Sequence, residues 1–136
     1  MITLSRLTAP DAQRLFALIE RTRASLGNLT WAAGATLEST QDFLAQKAAS
    51  LDVVHGIFRG SELVGVVELR DMDVRYELGY WLGKEYQGCG IMLQAVAPLV
   101  LAMSGTKPVS AHIRAGNHAS KSVLVKSGLA EHHREI

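Results

Sequence analysis

The amino-acid sequence predicts an α+β (mixed α/β) chain built on one mixed β-sheet flanked by helices. Two observations predict it. Three strand-like segments follow one another between Val53 and Leu82, and the tight turn Arg59-Gly60-Ser61-Glu62 joins the first two as antiparallel neighbours. A helical stripe and a further strand-like segment come next, and a strand–helix–strand order requires parallel neighbours. Both kinds of pairing in one chain give a mixed sheet. A length of 136 residues suits a single domain, 1–136.

Taken in order, Ile2–Leu7 reads as a short strand. Pro10 and Asp11 open a helix with Ala12, Leu15, Phe16 and Ile19 on one face. The stretch from Leu26 to Leu37 mixes Gly, Asn and Thr with Trp31 and reads as a loop. Ser39 or Thr40 is expected to cap a second helix that gathers Phe43, Leu44, Lys47 and Ala48. Strands are expected at Val53–Phe58, Leu63–Leu69 and Arg75–Leu82. The helix after Gly90 carries Met92, Val96, Leu99, Val100 and Met103 on one stripe, and Pro98 is expected to kink or shorten it. Val109–Ile113 reads as another strand. Asn117 caps a last short helix that Gly128 stops.

Composition excludes several functions. Lys and Arg total 14 against 13 Asp and Glu, too even a balance for a nucleic-acid or anionic-membrane footprint. The most apolar stretch, Ile91–Met103, is shorter than the ~20 residues of a membrane span. Cys89 is the only cysteine, so no intrachain disulfide forms and a reducing cytoplasm is the expected compartment. His132 and His133 have no third ligand at suitable spacing, so they read as a polar tail and no metal is expected.

The segment Gln87-Gly88-Cys89-Gly90-Ile91-Met92 joins a strand to a helix. Its glycines permit close backbone approach and positive φ, and the first helical N–H groups face outward with the positive end of the helix dipole behind them. That is a seat for a pyrophosphate. A P-loop would require Gly-Lys-Ser/Thr, which is absent, and a dinucleotide fold would want a glycine where Leu93 stands. By itself the turn is equally compatible with a plain strand-to-helix connection.

The string Glu77-Leu78-Gly79-Tyr80-Trp81-Leu82, followed by Gln87-Gly88-Cys89-Gly90-Ile91-Met92, resembles the GNAT superfamily of N-acetyltransferases. It looks most like the ribosomal-protein, RimJ/RimL-like group. Asn117-His118-Ala119-Ser120, with Val123, Lys126 and Gly128-Leu129, is similar to that group's downstream signature. Met92 departs from the superfamily's usual small residue, but Gly-Ile-Met is a familiar variant in the group. The resemblance runs from about Ile2 to Leu129, strong after Tyr76 and loose before it.

The resemblance implies a sheet that splays between the strands ending at Leu82 and Ile113. Acetyl-CoA would lay its pantetheine arm along Tyr80, Trp81 and Leu82 and its pyrophosphate on Gln87, Gly88, Cys89, Gly90, Ile91 and Met92. Asn117 would cap the last helix and reach the cofactor amide. Transfer from a thioester to an amine needs a proton acceptor, a donor to the carbonyl oxygen, an acid for the leaving thiolate and held reactants. Glu77, on the strand face shared with Gly79 and Trp81, is the expected base; a salt-bridged strand carboxylate is the competing reading, and Glu68 is the substitute. A backbone N–H near Leu82 would polarise the carbonyl. Ser120 is the expected acid, since the tyrosine many GNAT enzymes use is Leu124 here. Cys89 lies in the phosphate turn, wrongly placed to attack an acetyl group. His112 and His118 read as structural or peripheral. Trp31 is a candidate substrate wall.

GNAT chains usually continue with two more strands, whereas this one stops at Ile136 with a charged tail of little strand character. The expected sheet therefore lacks the usual last strands, and a bare edge after Ile113 predicts a homodimer that covers it. The implied activity is acetyl-CoA-dependent transfer to a protein or peptide N-terminal α-amine. A small-molecule amine is the alternative acceptor. A non-catalytic acyl-CoA-binding or oligomerising module is the alternative of a different class.

Overall fold

Two apolar surfaces, one on each side of a single sheet, organise the chain. A computed structural model of the protein describes residues 2–23, 34–86, 90–103, 108–113 and 133–135. Its six-stranded sheet runs in chain order: β1 (Ile2–Arg6), β2 (Val53–Arg59), β3 (Glu62–Asp71), β4 (Tyr76–Leu82), β5 (Val109–Ile113) and β6 (His133–Glu135). The pairs from β1 to β4 are antiparallel, and β4–β5 and β5–β6 are parallel. The sheet is mixed, as expected.

Helices α1 (Ala12–Thr22) and α2 (Leu37–Ala48) cover one face. A short 3₁₀ turn, Ala9–Asp11, leads into α1, and the Thr8 N–H donates to Asp11 Oδ2 at 2.8 Å. The buried stripe of α1 is Ala12, Leu15, Leu18, Ile19 and Thr22. Phe16, expected on that stripe, is only half-buried, and Leu18 takes the central place. These side chains pack with Leu7, Leu44, Val54, Phe58, Leu63 and Val66.

The cap of α2 differs from the expected Ser39 or Thr40. Thr36 is the N-cap: its Oγ1 accepts from the Ser39 N–H at 3.0 Å, and the Thr36 N–H donates to Ser39 Oγ at 2.8 Å. This reciprocal box starts the helix at Leu37, and its buried residues become Thr40 and Leu44. Phe43 and Ala48 are exposed, and Lys47 is half-buried. Most of the expected loop with Trp31 lies outside the described residues.

The other face packs under α3 (Ile91–Met103). Ile91, Ala95, Val96 and Leu99 meet Ile57, Val64, Val67, Leu69, Leu78, Leu82 and Val109. Burying each large aliphatic side chain contributes ~1.5–3 kcal/mol. Of the two expected effects of Pro98, shortening is not seen, since α3 runs on to Met103. Pro98 and Gln94 are both exposed, so water can take the Gln94 carbonyl that the missing Pro98 N–H leaves behind. Among the described residues no helix is long and apolar enough to cross a membrane.

The tail also corrects an expectation. Its charged residues argued against a strand, yet His133–Glu135 pairs with Ala111–Ile113. A strand ladder is made by backbone groups, so charged side chains do not preclude it. The edge expected to stand bare is therefore occupied along Ala111–Ile113. The expected helix after Asn117 lies outside the described residues.

Candidate active site

Strand β4 carries the expected base and the expected pantetheine stretch. Its register with β3 sets Glu77 opposite Arg70, Gly79 opposite Glu68 and Trp81 opposite Val66. Alternation places these residues on the α1/α2 side, while Leu78, Tyr80 and Leu82 join the cluster under α3.

The end of β4 is clamped by β3. The β2–β3 register shifts between Ile57 and Phe58, and Val64 is the extra residue, since Ile57 pairs with Gly65 and Phe58 with Leu63. The Val64 carbonyl accepts the Gly83 N–H at 2.8 Å. Beside it, a Cβ on Gly65 would lie 2.6 Å from the Trp81 carbonyl oxygen and 2.7 Å from Leu82 Cδ2. Only glycine admits so close an approach, so the bulge and Gly65 together draw the far end of β4 against β3.

On its other side β4 pairs with β5 over Tyr76–Leu78 and Val109–Ala111. Beyond Leu78, β4 continues to Leu82 and β5 to Ile113 outside that ladder. Parallel strands that part after three paired positions have the form expected of a splayed sheet. After β4 come a 3₁₀ turn, Lys84–Tyr86, and then the start of α3. Gly90 stands at that start with φ 74°, and the Gln94 N–H reaches its carbonyl at 3.2 Å. This left-handed conformation is one a side chain adopts at a cost. Gly90, the last glycine of the expected turn, thus opens the helix in a conformation that glycine adopts freely.

Gln87, Gly88 and Cys89 lie outside the described residues, as do Asn117 and Ser120. Ile91 is buried in the core beneath α3. Met92 is placed in the first turn of α3 by its backbone.

Glu77 belongs to a chain of ion pairs. Arg70 Nη2 lies 3.2 Å from Glu77 Oε1, and Arg70 Nε lies 3.4 Å from Glu68 Oε1. Glu68 Oε2 lies 2.8 Å from Lys47 Nζ, which also bonds Asp52 Oδ2 at 2.7 Å. Burial works against a charged Lys47, but its bonds to Asp52 and Glu68 prevail and hold its pKa above the ordinary lysine value. Burial likewise opposes a charged Asp52, and there the Lys47 bond and the Asp71 N–H prevail and hold its carboxyl below the ordinary value. The series therefore ties α2 and the turn before β2 to the candidate base. Sequence reasoning did not single out Lys47 or Arg70 for this role. The available signal was two charged residues, Glu68 and Arg70, at same-face positions of an apolar strand.

A concavity of about 380 Å³ opens elsewhere, lined by Arg14, Arg21, Ser61, Glu62, Glu85 and Tyr86 among others. It includes neither Glu77 nor Gly90. Strand register and the helix start bring together the candidate-site residues that are described. Among the described residues no group of three or more His, Cys, Asp or Glu side chains is arranged to hold a metal.

A family model described as an acetyltransferase (GNAT) domain matches residues 2–130. The Bacillus subtilis (strain 168) protein YdaF, which carries the inferred name of ribosomal N-acetyltransferase, is 28% identical over 143 aligned residues. That alignment covers 96% of this chain and 78% of YdaF. Among solved structures, the ribosomal L7/L12 α-N-protein acetyltransferase RimL in complex with coenzyme A has a TM-score of 0.80 at 22% identity. It covers 93% of this chain and 78% of that one. The microcin C7 self-immunity acetyltransferase MccE, in complex with acetyl-CoA and AMP, has a TM-score of 0.83 at 23% identity, covering 93% and 77%. These structural likenesses establish a shared fold. Over residues 2–130 the chain belongs to the acetyltransferase (GNAT) domain family.

Proposed function

We propose that this acetyltransferase moves the acetyl group of acetyl-CoA onto the α-amine of a protein or peptide N-terminus. The observation that carries the cosubstrate is the parting of β4 from β5 after Leu78, next to a helix opened by Gly90 at φ 74°. A strand segment beyond a ladder and a glycine-led helix start suit a pantetheine amide arm and a pyrophosphate. The acceptor class is supported by YdaF and RimL, both named for ribosomal N-acetylation.

In this reading Tyr80–Leu82 hold the pantetheine arm, Gln87–Met92 hold the pyrophosphate and Asn117 reaches the cofactor amide. The amine nitrogen attacks the thioester carbonyl carbon; a C–N bond forms and the C–S bond breaks. Glu77 takes the proton the amine must lose, directly or through water, and Ser120 supplies a proton to the departing thiolate. Solvent exchange then returns both residues to their starting states. Cytoplasmic action and a homodimer belong to the same proposal, the first resting on the lone Cys89.

Thiol release from acetyl-CoA, measured against N-terminal peptides and small amines, tests the reading. Peptide acceptors are expected to turn over fastest. Transfer to small amines alone would replace the acceptor class, and acetyl-CoA binding with no release would leave a binding module. Glu77→Gln should lower turnover ~10²–10⁴-fold, most severely at low pH where less amine is neutral. Full turnover in both Glu77→Gln and Ser120→Ala would remove both residues from their roles.

A further inference from the structure

We propose that Arg70 is the positioning residue for Glu77, and that Glu68 and Lys47 hold Arg70 in that post. This rests on Glu77 being the base in the reading above. Arg70 and Glu77 are cross-strand partners on the α1/α2 face, with 3.2 Å between Nη2 and Oε1. The Arg70 side chain keeps 44% of its surface in water, so on its own it would sample many rotamers. Its Nε is drawn back by Glu68, only 18% exposed, which Lys47 grips from α2 at 2.8 Å. Asp52 fixes Lys47 in turn. Among the described residues Arg70 Nε makes no hydrogen bond, so Glu68 holds that end by charge alone, while Nη2 presents the guanidinium to Glu77.

Gly79 leaves room along the path. It lies opposite Glu68, and a Cβ on it would stand 3.3 Å from the same Arg70 Nη2 that meets Glu77. A side chain there would make the guanidinium give by a few tenths of an ångström. The glycine of Glu77-Leu78-Gly79-Tyr80-Trp81-Leu82 thus serves the base two residues before it.

The consequence for chemistry follows from sign. A cation beside a carboxylate favours its ionised form, the form that accepts a proton. Among the described residues, the groups facing Glu77 include Arg70 and, behind it, Glu68 on β3, with Lys47 on α2 and Asp52 before β2. From β5 comes Ser110, in register with Glu77, whose hydroxyl accepts from Arg75 Nε at 3.2 Å.

The test measures kcat against pH for wild type, Arg70→Met, Arg70→Lys and Glu77→Gln, with acetyl-CoA affinity by calorimetry. Arg70→Met should lower kcat at neutral pH about 10- to 100-fold, at or short of the loss from removing a base. Its acid limb should move to higher pH while acetyl-CoA affinity stays unchanged, and Arg70→Lys should restore most of the limb. A limb and kcat unchanged in Arg70→Met, with Glu77→Gln impaired, would overturn this proposal and leave the base intact. An unimpaired Glu77→Gln would instead overturn the base assignment. Should Arg70→Met fail to fold, Glu68→Gln, which frees the Nε side of Arg70, is read by the same limb shift.

Discussion

At the residue scale, Gly90 combines two properties that separate binding from folding. Its φ of 74° makes any side chain strained, costing ~1–2 kcal/mol, while a Cβ there would meet nothing within 4 Å. Gly90→Val should therefore fold yet misdirect the first N–H groups of α3. Calorimetry should show acetyl-CoA binding abolished while the circular dichroism spectrum is kept; unchanged affinity in a folded variant would refute the seat. This residue was legible in sequence as a glycine between a strand and a helix, a position that a pyrophosphate seat and a plain connection both use. Arg70 was not, because an arginine on a strand reads as solvated until the register shows what lies opposite.

At the element scale, α2 is tied to the sheet by Lys47 rather than by a wide apolar stripe, since only Thr40 and Leu44 are buried. The pKa directions set a pH window. Asp52 is held below 3.8, so its contribution is full above that value and is lost as pH falls through the lower, folded pKa. Lys47 is held above 10.5, so its contribution is full below that value and is lost as pH rises through the higher, folded pKa. Lys47→Met should cost about 1 kcal/mol at pH 7, modest because both partners keep some water contact. Urea melts at pH 7 and pH 3 should show the difference between variant and wild type shrinking at acid pH; an equal difference at both would exclude the pair as its source.

The same scale shows where sequence patterns stop. Strands β2 to β4 were legible to within a few residues because apolar runs bounded by turns leave little choice. The start of α2 was misread because Thr36, Ser39 and Thr40 are all good caps, and only the reciprocal Thr36–Ser39 bonds decide among them. The bulge at Val64 was invisible as well. It is recorded in the pairing of two strands and leaves no local signature beyond Gly65.

Strand β4 gives a prediction that links element to site. Gly65→Ala would thrust a methyl to within 2.6 Å of the Trp81 carbonyl oxygen. Backbone cannot yield as a flexible side chain does, so the end of β4 must move. Stability should fall by ~1–3 kcal/mol, as for other overpacked sites. Acetyl-CoA affinity should fall with it, because Tyr80–Leu82 are the proposed pantetheine contact. Chemical denaturation and calorimetry on the one variant check both; a stability loss with intact affinity would detach Tyr80–Leu82 from the cofactor.

At the scale of the whole molecule, the sheet edge decides assembly. A strand with one side open offers backbone groups that another chain can pair, and proteins seldom leave a long one bare. Here β6 lies along Ala111–Ile113, so that part of the edge is covered within the subunit. The proposed homodimer then has the outer side of β6, the start of β5 and the opposite edge strand β1 to meet at, and a two-fold contact at any of them closes on itself without growing into a fibre. Light scattering across micromolar concentrations should report twice the subunit mass, and a monomer at all of them would refute the dimer. Hydrogen exchange separates the two sources of cover. Amides of Ala111–Ile113 that pair with β6 should exchange slowly even in dilute, dissociated protein, because their partner travels with them. If their protection instead rises and falls with the dimer fraction, the second subunit supplies the cover and β6 does not hold the edge alone.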